Sequence, residues 1–185
     1  LEVTSGGVDV AGLWLENDVS GLVLDHLGRN GATLEFLNSW SDESILRLLS
    51  VRPIDAFILA FGTNEAADRI SSPDYLRLIM RTVARLHSIS PASPIVLVTV
   101  PSHVHGRPLS CPSSLPSSLR AVMAAQQAAA RIPGVQVWNW MQAMGGECAV
   151  ATWYANGLMA HDGIHMKPEG YRRSADIFRD WLLAP

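Results

Sequence analysis

The stretch Ala56–Asn64, with the sequence AFILAFGTN, is an apolar run that ends abruptly in a Gly-Thr-Asn turn. A short continuous apolar run is typical of a strand that is covered on both faces. Similar runs occur at Ile95–Val100 and Val135–Trp138, and helical patterns lie between them. This alternation predicts a parallel sheet between two layers of helices, a three-layer α/β/α fold.

The remaining elements follow from the same patterns. Leu22–Leu27 is predicted as a further strand. Helices are predicted at Thr33–Ser50, Pro73–Ile89, Pro116–Arg131 and Pro168–Leu183. Pro101–Ser118 and Met141–His165 have no clear period and are predicted as long loops. Both follow strands, so both should lie over the carboxyl edge of the sheet, where open α/β folds bind their ligands.

The N-terminal stretch does not fit this alternation. Val8–Leu15 alternates like a strand with one wet face, and no helical pattern follows it. We interpret residues 1–17 as a lead strand, the end of a preceding or inserted β domain. Residues 18–185 then form the main domain.

Composition limits the classes of function. The 185 residues have a formal net charge of −3, with 48% hydrophobic and 17% charged residues. This is a globular composition with no electrostatic reason to bind nucleic acid. No apolar run reaches the roughly 18 residues that a membrane span needs. The two cysteines, Cys111 and Cys148, allow one disulfide but do not require it.

Asp162 and His165 form an Asp-x-x-His pattern just before the last predicted helix. A histidine that acts as general base needs an acceptor on its second ring nitrogen, and a carboxylate three residues earlier can provide it. A surface histidine beside a loop cap gives the same pattern. The spacing of His103 and His105, or of His161 and His165, arises often by chance, and the sequence predicts neither a metal site nor a cofactor.

Two further positions follow predicted strands. Asn64 has a side-chain amide that could donate to a developing oxyanion, although it could equally cap the next helix. Gly31, in the segment Gly28–Ala32, would let a backbone N–H approach a ligand without a Cβ in the way. A simple strand-to-helix turn is the alternative for Gly31.

Taken in order, Gly31, Asn64 and the Asp162/His165 pair resemble the blocks of the SGNH (GDSL-like) hydrolase superfamily. The segments GRNGA at residues 28–32, GTNEA at 62–66 and VWNW at 137–140, with AMGG at 143–146, are similar to those of bacterial peptidoglycan and carbohydrate O-acetylesterases. The resemblance implies a flavodoxin-like sheet, a His165–Asp162 pair, and an oxyanion hole formed by Gly31 and Asn64.

One block is absent. The superfamily nucleophile is the serine of a Gly-Asp-Ser block after the first strand, and this chain contains no Gly-Asp-Ser. The resemblance implies that the nucleophile and the first strand lie upstream of Leu1, in a longer polypeptide or in a second chain. Within the chain, Ser102 is a weak candidate because it follows a strand at the correct edge but lacks the tight turn that exposes a nucleophile.

The function implied is a serine esterase that removes O-acetyl groups from a carbohydrate or peptidoglycan-like substrate, located in the periplasm or secreted. Two alternatives remain open at this point. One is a non-catalytic domain that binds acetylated glycans, and the other is a lipase or thioesterase for longer acyl chains. Trp138, Trp140 and Trp153 would either stack on a sugar or pack in the core.

Overall fold

The computed structural model describes residues 4–7, 9, 17–106 and 108–184. Three strands form a parallel sheet in the order β1-β2-β3: β1 is Phe57–Ala60, β2 is Ile95–Val98 and β3 is Val135–Trp138. The register pairs Phe57 with Ile95 and Ile95 with Val135. The predicted parallel α/β sheet is therefore confirmed at these three strands.

Eight α-helices accompany the strands in the described part of the chain. They are α1 Leu34–Asn38, α2 Asp42–Val51, α3 Thr63–Ala67, α4 Ser72–Ile89, α5 Leu119–Ala128, α6 Trp140–Met144, α7 Ala149–Ala155 and α8 Pro168–Leu182. Short 3₁₀ turns occupy Pro108–Ser110 and Ala129–Arg131. None of the helices described combines the length and hydropathy needed to cross a membrane.

The side chains of β2 show how the sheet is covered. All four of its residues are buried. Ile95 and Leu97 join a core that includes residues of α4 and α5. Val96 and Val98 point the other way and pack with Trp138 and with the apolar side of α8. Because successive side chains of a strand point to opposite faces, this division confirms the three-layer architecture.

A third apolar cluster lies beneath the segments that follow the strands. Its buried members are Val104, Met144, Ala149, Val150, Trp153, Met159 and Met166. The stretch Met141–His165, predicted as a loop, contains most of α6 and all of α7. The prediction failed there because each helix is short: α6 ends at Met144 and is capped by Gly145, which has a positive φ, so no 3.6-residue period has room to develop.

Two other predicted elements differ from the structure. Leu22–Leu27 forms no strand, and Leu22 and Leu24 are 80% and 75% exposed. A strand needs a hydrogen-bonded neighbouring strand, and none of the described strands pairs with this segment. The single helix predicted over Thr33–Ser50 is two helices, because the Ser41 hydroxyl accepts from Ser44 N and starts α2. The lead strand predicted at Val8–Leu15 lies, apart from Asp9, outside the described residues.

Cys111 and Cys148 form a disulfide that links the segment after β2 to the residue before α7, with a sequence separation of 37. A loop of this length corresponds to about 3–4 kcal/mol of lost unfolded-state entropy in the chain-entropy treatment. We expect reductant to lower the melting temperature of the folded protein by roughly 10 °C. The measurement is a thermal melt with and without reductant, followed by circular dichroism.

The control is the Cys111→Ala/Cys148→Ala variant, which should melt at the lowered temperature whether or not reductant is present. Equal melting of the unsubstituted protein in both buffers would contradict the stabilising role of this bond.

Candidate active site

The Asp162 carboxylate organises the segment that carries His165. Its Oδ2 lies 2.7 Å from His165 Nδ1, and its Oδ1 accepts hydrogen bonds from the backbone N–H groups of Ile164 and His165, each at 2.9 Å. Partial burial opposes ionisation, but the hydrogen bonds from the His165 ring and these two amides outweigh it and lower the pKa of Asp162. The carboxylate therefore stays charged and holds the ring by one nitrogen.

Backbone contacts fix this segment to the loop after β2. Val104 N donates to Gly163 O at 3.0 Å, and Gly106 N donates to Asp162 O at 3.3 Å. Gly163 has φ +72°, and a Cβ there would lie 2.7 Å from Gly106 O. Only glycine fits such a close approach, so the DGIH sequence is shaped by the neighbouring loop as well as by its own turn.

The start of α8 is fixed just beyond His165. Lys167 N donates to Leu158 O at 2.9 Å. At Gly170, on the first turn of α8, an added Cβ would lie 2.2 Å from the same carbonyl oxygen. The helix therefore crosses the Leu158 backbone at a point where no side chain fits.

Asn64 lies on the turn that leaves β1. Gly62, with φ +122°, lies two residues after the end of β1 and is the N-cap of α3, which begins at Thr63. The Asn64 Nδ2 group donates one hydrogen bond, of 2.7 Å, to Ala32 O. An amide nitrogen carries two hydrogens, so the second remains for another acceptor.

Gly31 lies in an exposed turn before α1, with φ +74°. Ala32 N closes this turn by donating to Arg29 O at 3.1 Å. Among the described residues, the N–H of Gly31 has no hydrogen-bond acceptor. The bond between Asn64 and Ala32 thus brings a side-chain amide beside the turn that holds the Gly31 N–H.

The topology assigns these groups to one edge of the sheet. Asn64 follows β1. The backbone of Asp162 and Gly163 is hydrogen-bonded to the loop that follows β2. Because β1 and β2 are adjacent and parallel, their carboxyl ends meet at the same edge. A base with its acceptor and two N–H donors are the groups that acyl transfer requires around a nucleophile.

Ser102 has a different environment. It is fully buried, and its hydroxyl donates to Glu147 O at 2.7 Å while accepting from Val150 N at 2.9 Å. The oxygen thus ties the loop after β2 to α7, and it does not face an open cleft. Neighbouring His103 is also buried; burial lowers its pKa, and its Nδ1 contacts Pro101 O at 2.9 Å.

The aromatic residues of this region divide into core and surface groups. Trp138 and Trp153 are buried; the Trp138 ring packs against Phe178 in a tilted arrangement, and Trp153 Nε1 donates to Met144 O. Trp138 and Trp153 therefore pack in the core and are not exposed for stacking on a sugar. Trp140 is partly buried, with its Nε1 on Ser174 Oγ. On the surface, the Tyr154 hydroxyl lies 2.7 Å from Nδ1 of the exposed His161, beside Asp162.

The main feature that sequence reasoning missed is Glu65. Its position in the first turn of α3 suggests only a favourable interaction with the helix dipole. In the structure its carboxylate is buried and accepts from Leu34 N and Gly62 N. The glutamate three residues after a helix N-cap was the available signal, since this is the spacing of a capping box. The contact to Leu34 could not be read from spacing.

Comparisons with known proteins bear on the fold and the family of this chain. A solved structure of a peptidoglycan O-acetylesterase is 32% identical, with a TM-score of 0.75 over 83% of this chain and 43% of that one. The chain thus spans less than half the length of this similar protein. The family 3 carbohydrate esterase of Clostridium thermocellum is 15% identical, with a TM-score of 0.57 over 84% of this chain and 67% of that chain. Its counterpart from Talaromyces cellulolyticus is 14% identical, with a TM-score of 0.57 over 86% and 70%.

The last two similarities bear on the fold alone. A comparison with curated proteins gives no match. The model of the GDSL-like lipase/acylhydrolase family, however, matches residues 6–173, which is most of the chain. The protein therefore belongs to the GDSL-like lipase/acylhydrolase family, within the SGNH hydrolase superfamily that its sequence blocks resemble.

Proposed function

We propose that this chain supplies the base and the oxyanion donors of a serine esterase that removes O-acetyl groups from carbohydrate or peptidoglycan-like polymers. The observation that carries the proposal is the 2.7 Å contact between His165 Nδ1 and Asp162 Oδ2, on a segment bound to the loop after β2. The 32% identity to a peptidoglycan O-acetylesterase structure supports the acetyl ester as substrate.

The proposed chemistry uses the His165–Asp162 pair as the base and the N–H groups of Gly31 and Asn64 as oxyanion donors. His165 Nε2 takes the proton of the serine hydroxyl as the serine oxygen attacks the ester carbonyl. The negative oxygen of the tetrahedral intermediate is bound by the Gly31 N–H and the free Asn64 Nδ2 hydrogen. His165 then returns the proton to the departing sugar oxygen. In the second half, His165 deprotonates water, which attacks the acetyl-serine; acetate leaves and the serine oxygen regains its proton.

The openness of the site favours a small acyl group. The side chains of His165 and Asp162 are 69% and 47% exposed. A long acyl chain needs a deep apolar pocket beside the base, whereas an acetyl group on a polymer needs an open cleft that a polymer can enter. The exposure within this chain is that of an open cleft, and together with the 32% identity to a peptidoglycan O-acetylesterase it favours the acetylesterase over the longer-acyl lipase or thioesterase.

We further propose that the nucleophilic serine lies on a strand outside this chain, in an upstream segment or a second chain. Two observations support this. The outer edge of β1 has no strand partner among the described residues, and Ile58 on β1 is 37% exposed. A parallel strand added there would end at the same edge as Asn64. The hydroxyl of Ser102 is already engaged on both sides.

The site of action follows from the substrate. A peptidoglycan or an extracellular polysaccharide lies outside the cytoplasm, and disulfides such as Cys111–Cys148 persist in oxidising compartments. We therefore propose a periplasmic or secreted enzyme.

The test uses the complete polypeptide that includes this chain, with 4-nitrophenyl acetate and acetylated xylan as substrates. A fluorophosphonate, which reacts with activated serines, should block hydrolysis, and mass spectrometry should locate the label on a serine outside residues 1–185. A label within this chain would refute the external nucleophile. Absence of both hydrolysis and labelling would refute the esterase and favour a domain that only binds acetylated glycans.

A further inference from the structure

Glu65 is a buried carboxylate that forms no ion pair with any described residue. It is 3% exposed, and its two oxygens accept from two backbone amides: Oε1 from Leu34 N at 2.7 Å and Oε2 from Gly62 N at 2.9 Å. Burial raises the pKa of Glu65, and hydrogen bonds from backbone amides, among them those of Leu34 and Gly62, and from the Tyr75 side chain offset part of the rise. A buried carboxylate without a cation is costly, so its contacts invite a functional explanation.

The two amides belong to the two segments that carry the proposed oxyanion donors. Leu34 begins α1, three residues after Gly31. Gly62 is the residue from which the Asn64 turn starts. One carboxylate group therefore bridges two turns that lie about 30 residues apart in the sequence. The Asn64–Ala32 hydrogen bond joins the same turns a second time.

The Asn64 turn is held from its other side by Gln126 of α5. Gln126 Nε2 donates to Phe61 O at 2.8 Å, and its Oε1 accepts from Val100 N at 2.9 Å. A Cβ at Gly62 would lie 2.8 Å from the same Nε2 atom. The turn therefore has little freedom toward the protein interior. Two contacts join it to the Gly31 turn, namely the Glu65 carboxylate and the Asn64–Ala32 hydrogen bond.

We propose that Glu65 is a positioning residue of the oxyanion hole, which sets the separation between the Gly31 N–H and the Asn64 amide. The inference rests on the proposed esterase function. Oxyanion donors act only when they are placed within a few tenths of an ångström before the charge develops. A misplacement of about 1 Å can cost a hundredfold in rate.

The Glu65→Gln variant tests the proposal because it keeps the shape of the side chain. An amide has one acceptor oxygen, so it can satisfy either Leu34 N or Gly62 N, and its NH₂ group would face the other N–H. We expect kcat for 4-nitrophenyl acetate to fall about 10- to 100-fold in the complete polypeptide, with KM changed less than threefold. Glu43→Gln is the control, since Glu43 is also in a first helical turn but exposed, and it should retain wild-type kinetics.

A double-mutant cycle separates positioning from general stability. Asn64→Ala alone should lower kcat by roughly 10²–10³, as removal of one oxyanion donor usually does. If Glu65 acts through the placement of Asn64, adding Glu65→Gln to Asn64→Ala should lower kcat by clearly less than it does in the wild type. Fully multiplicative losses, or a kcat of Glu65→Gln equal to that of wild type, would overturn the inference.

The outcomes also distinguish this inference from the proposed function. An inactive wild type refutes the esterase itself, whereas an active wild type with an unaffected Glu65→Gln variant refutes only the positioning role. If Glu65→Gln does not fold, amide exchange in the wild type decides. The Leu34 and Gly62 N–H groups should be protected from exchange, and rapid exchange at both would overturn the proposed positioning role of Glu65.

Discussion

Replacement of His165 by alanine is expected to lower kcat for acetyl ester hydrolysis by about 10⁵-fold or more, because the serine hydroxyl then has no base. Two of the other described histidines are already engaged: His103 is buried with Nδ1 on Pro101 O, and His161 is hydrogen-bonded to Tyr154. The remaining rate should come from the oxyanion donors and from substrate binding alone. The measurement is hydrolysis of 4-nitrophenyl acetate by the complete polypeptide, with melting curves to confirm folding.

The matched control for this experiment is His161→Ala. That histidine is exposed and lies on the same segment, four residues before His165, but its ring contacts Tyr154 and not Asp162. We expect its kcat to stay within a few-fold of wild type. Activity retained in His165→Ala would contradict the proposed mechanism, because no other described imidazole is bound to a carboxylate.

Replacement of Asp162 by asparagine should lower kcat by about 10³–10⁴-fold with KM nearly unchanged. The asparagine Oδ1 can still accept from the amides of Ile164 and His165, so the turn should keep its shape. Its NH₂ group, however, would donate to His165 Nδ1. The ring would then carry its hydrogen on Nε2, the atom that must accept the serine proton.

The Asp176→Asn variant controls for the loss of a negative charge, since Asp176 is an exposed partner of Arg179 on α8. It should behave as wild type in both kcat and melting temperature. A loss of less than tenfold in Asp162→Asn would show that the carboxylate does not orient the base.

The parts of the fold that sequence could predict are those with a strong local signal. β3 was predicted at Val135–Trp138 with the observed bounds, and α4 differs by one residue, because apolar runs and a proline at the start of a helix are local features. Leu22–Leu27 was predicted wrongly for the opposite reason. Its apolar content is typical of a strand, but strand formation depends on a neighbour that no local pattern reveals.

The same division applies to the candidate site. The Asp162–His165 contact could be expected from spacing, since three residues in a turn bring the carboxylate to the ring. The two contacts that join the Gly31 and Asn64 turns could not be expected from spacing. Glu65 and Leu34, for example, are 31 residues apart and meet only in the fold. Sequence position alone indicates only a helix-dipole role for Glu65, whereas in the fold its buried carboxylate contacts both turns.

The crossing of α8 over the Leu158 carbonyl has a mechanical consequence for the imidazole. A Cβ at Gly170 would lie 2.2 Å from Leu158 O, so any larger residue there would displace the start of α8. Because Lys167 N donates to the same carbonyl oxygen, that displacement would also disturb the short segment between His165 and the helix.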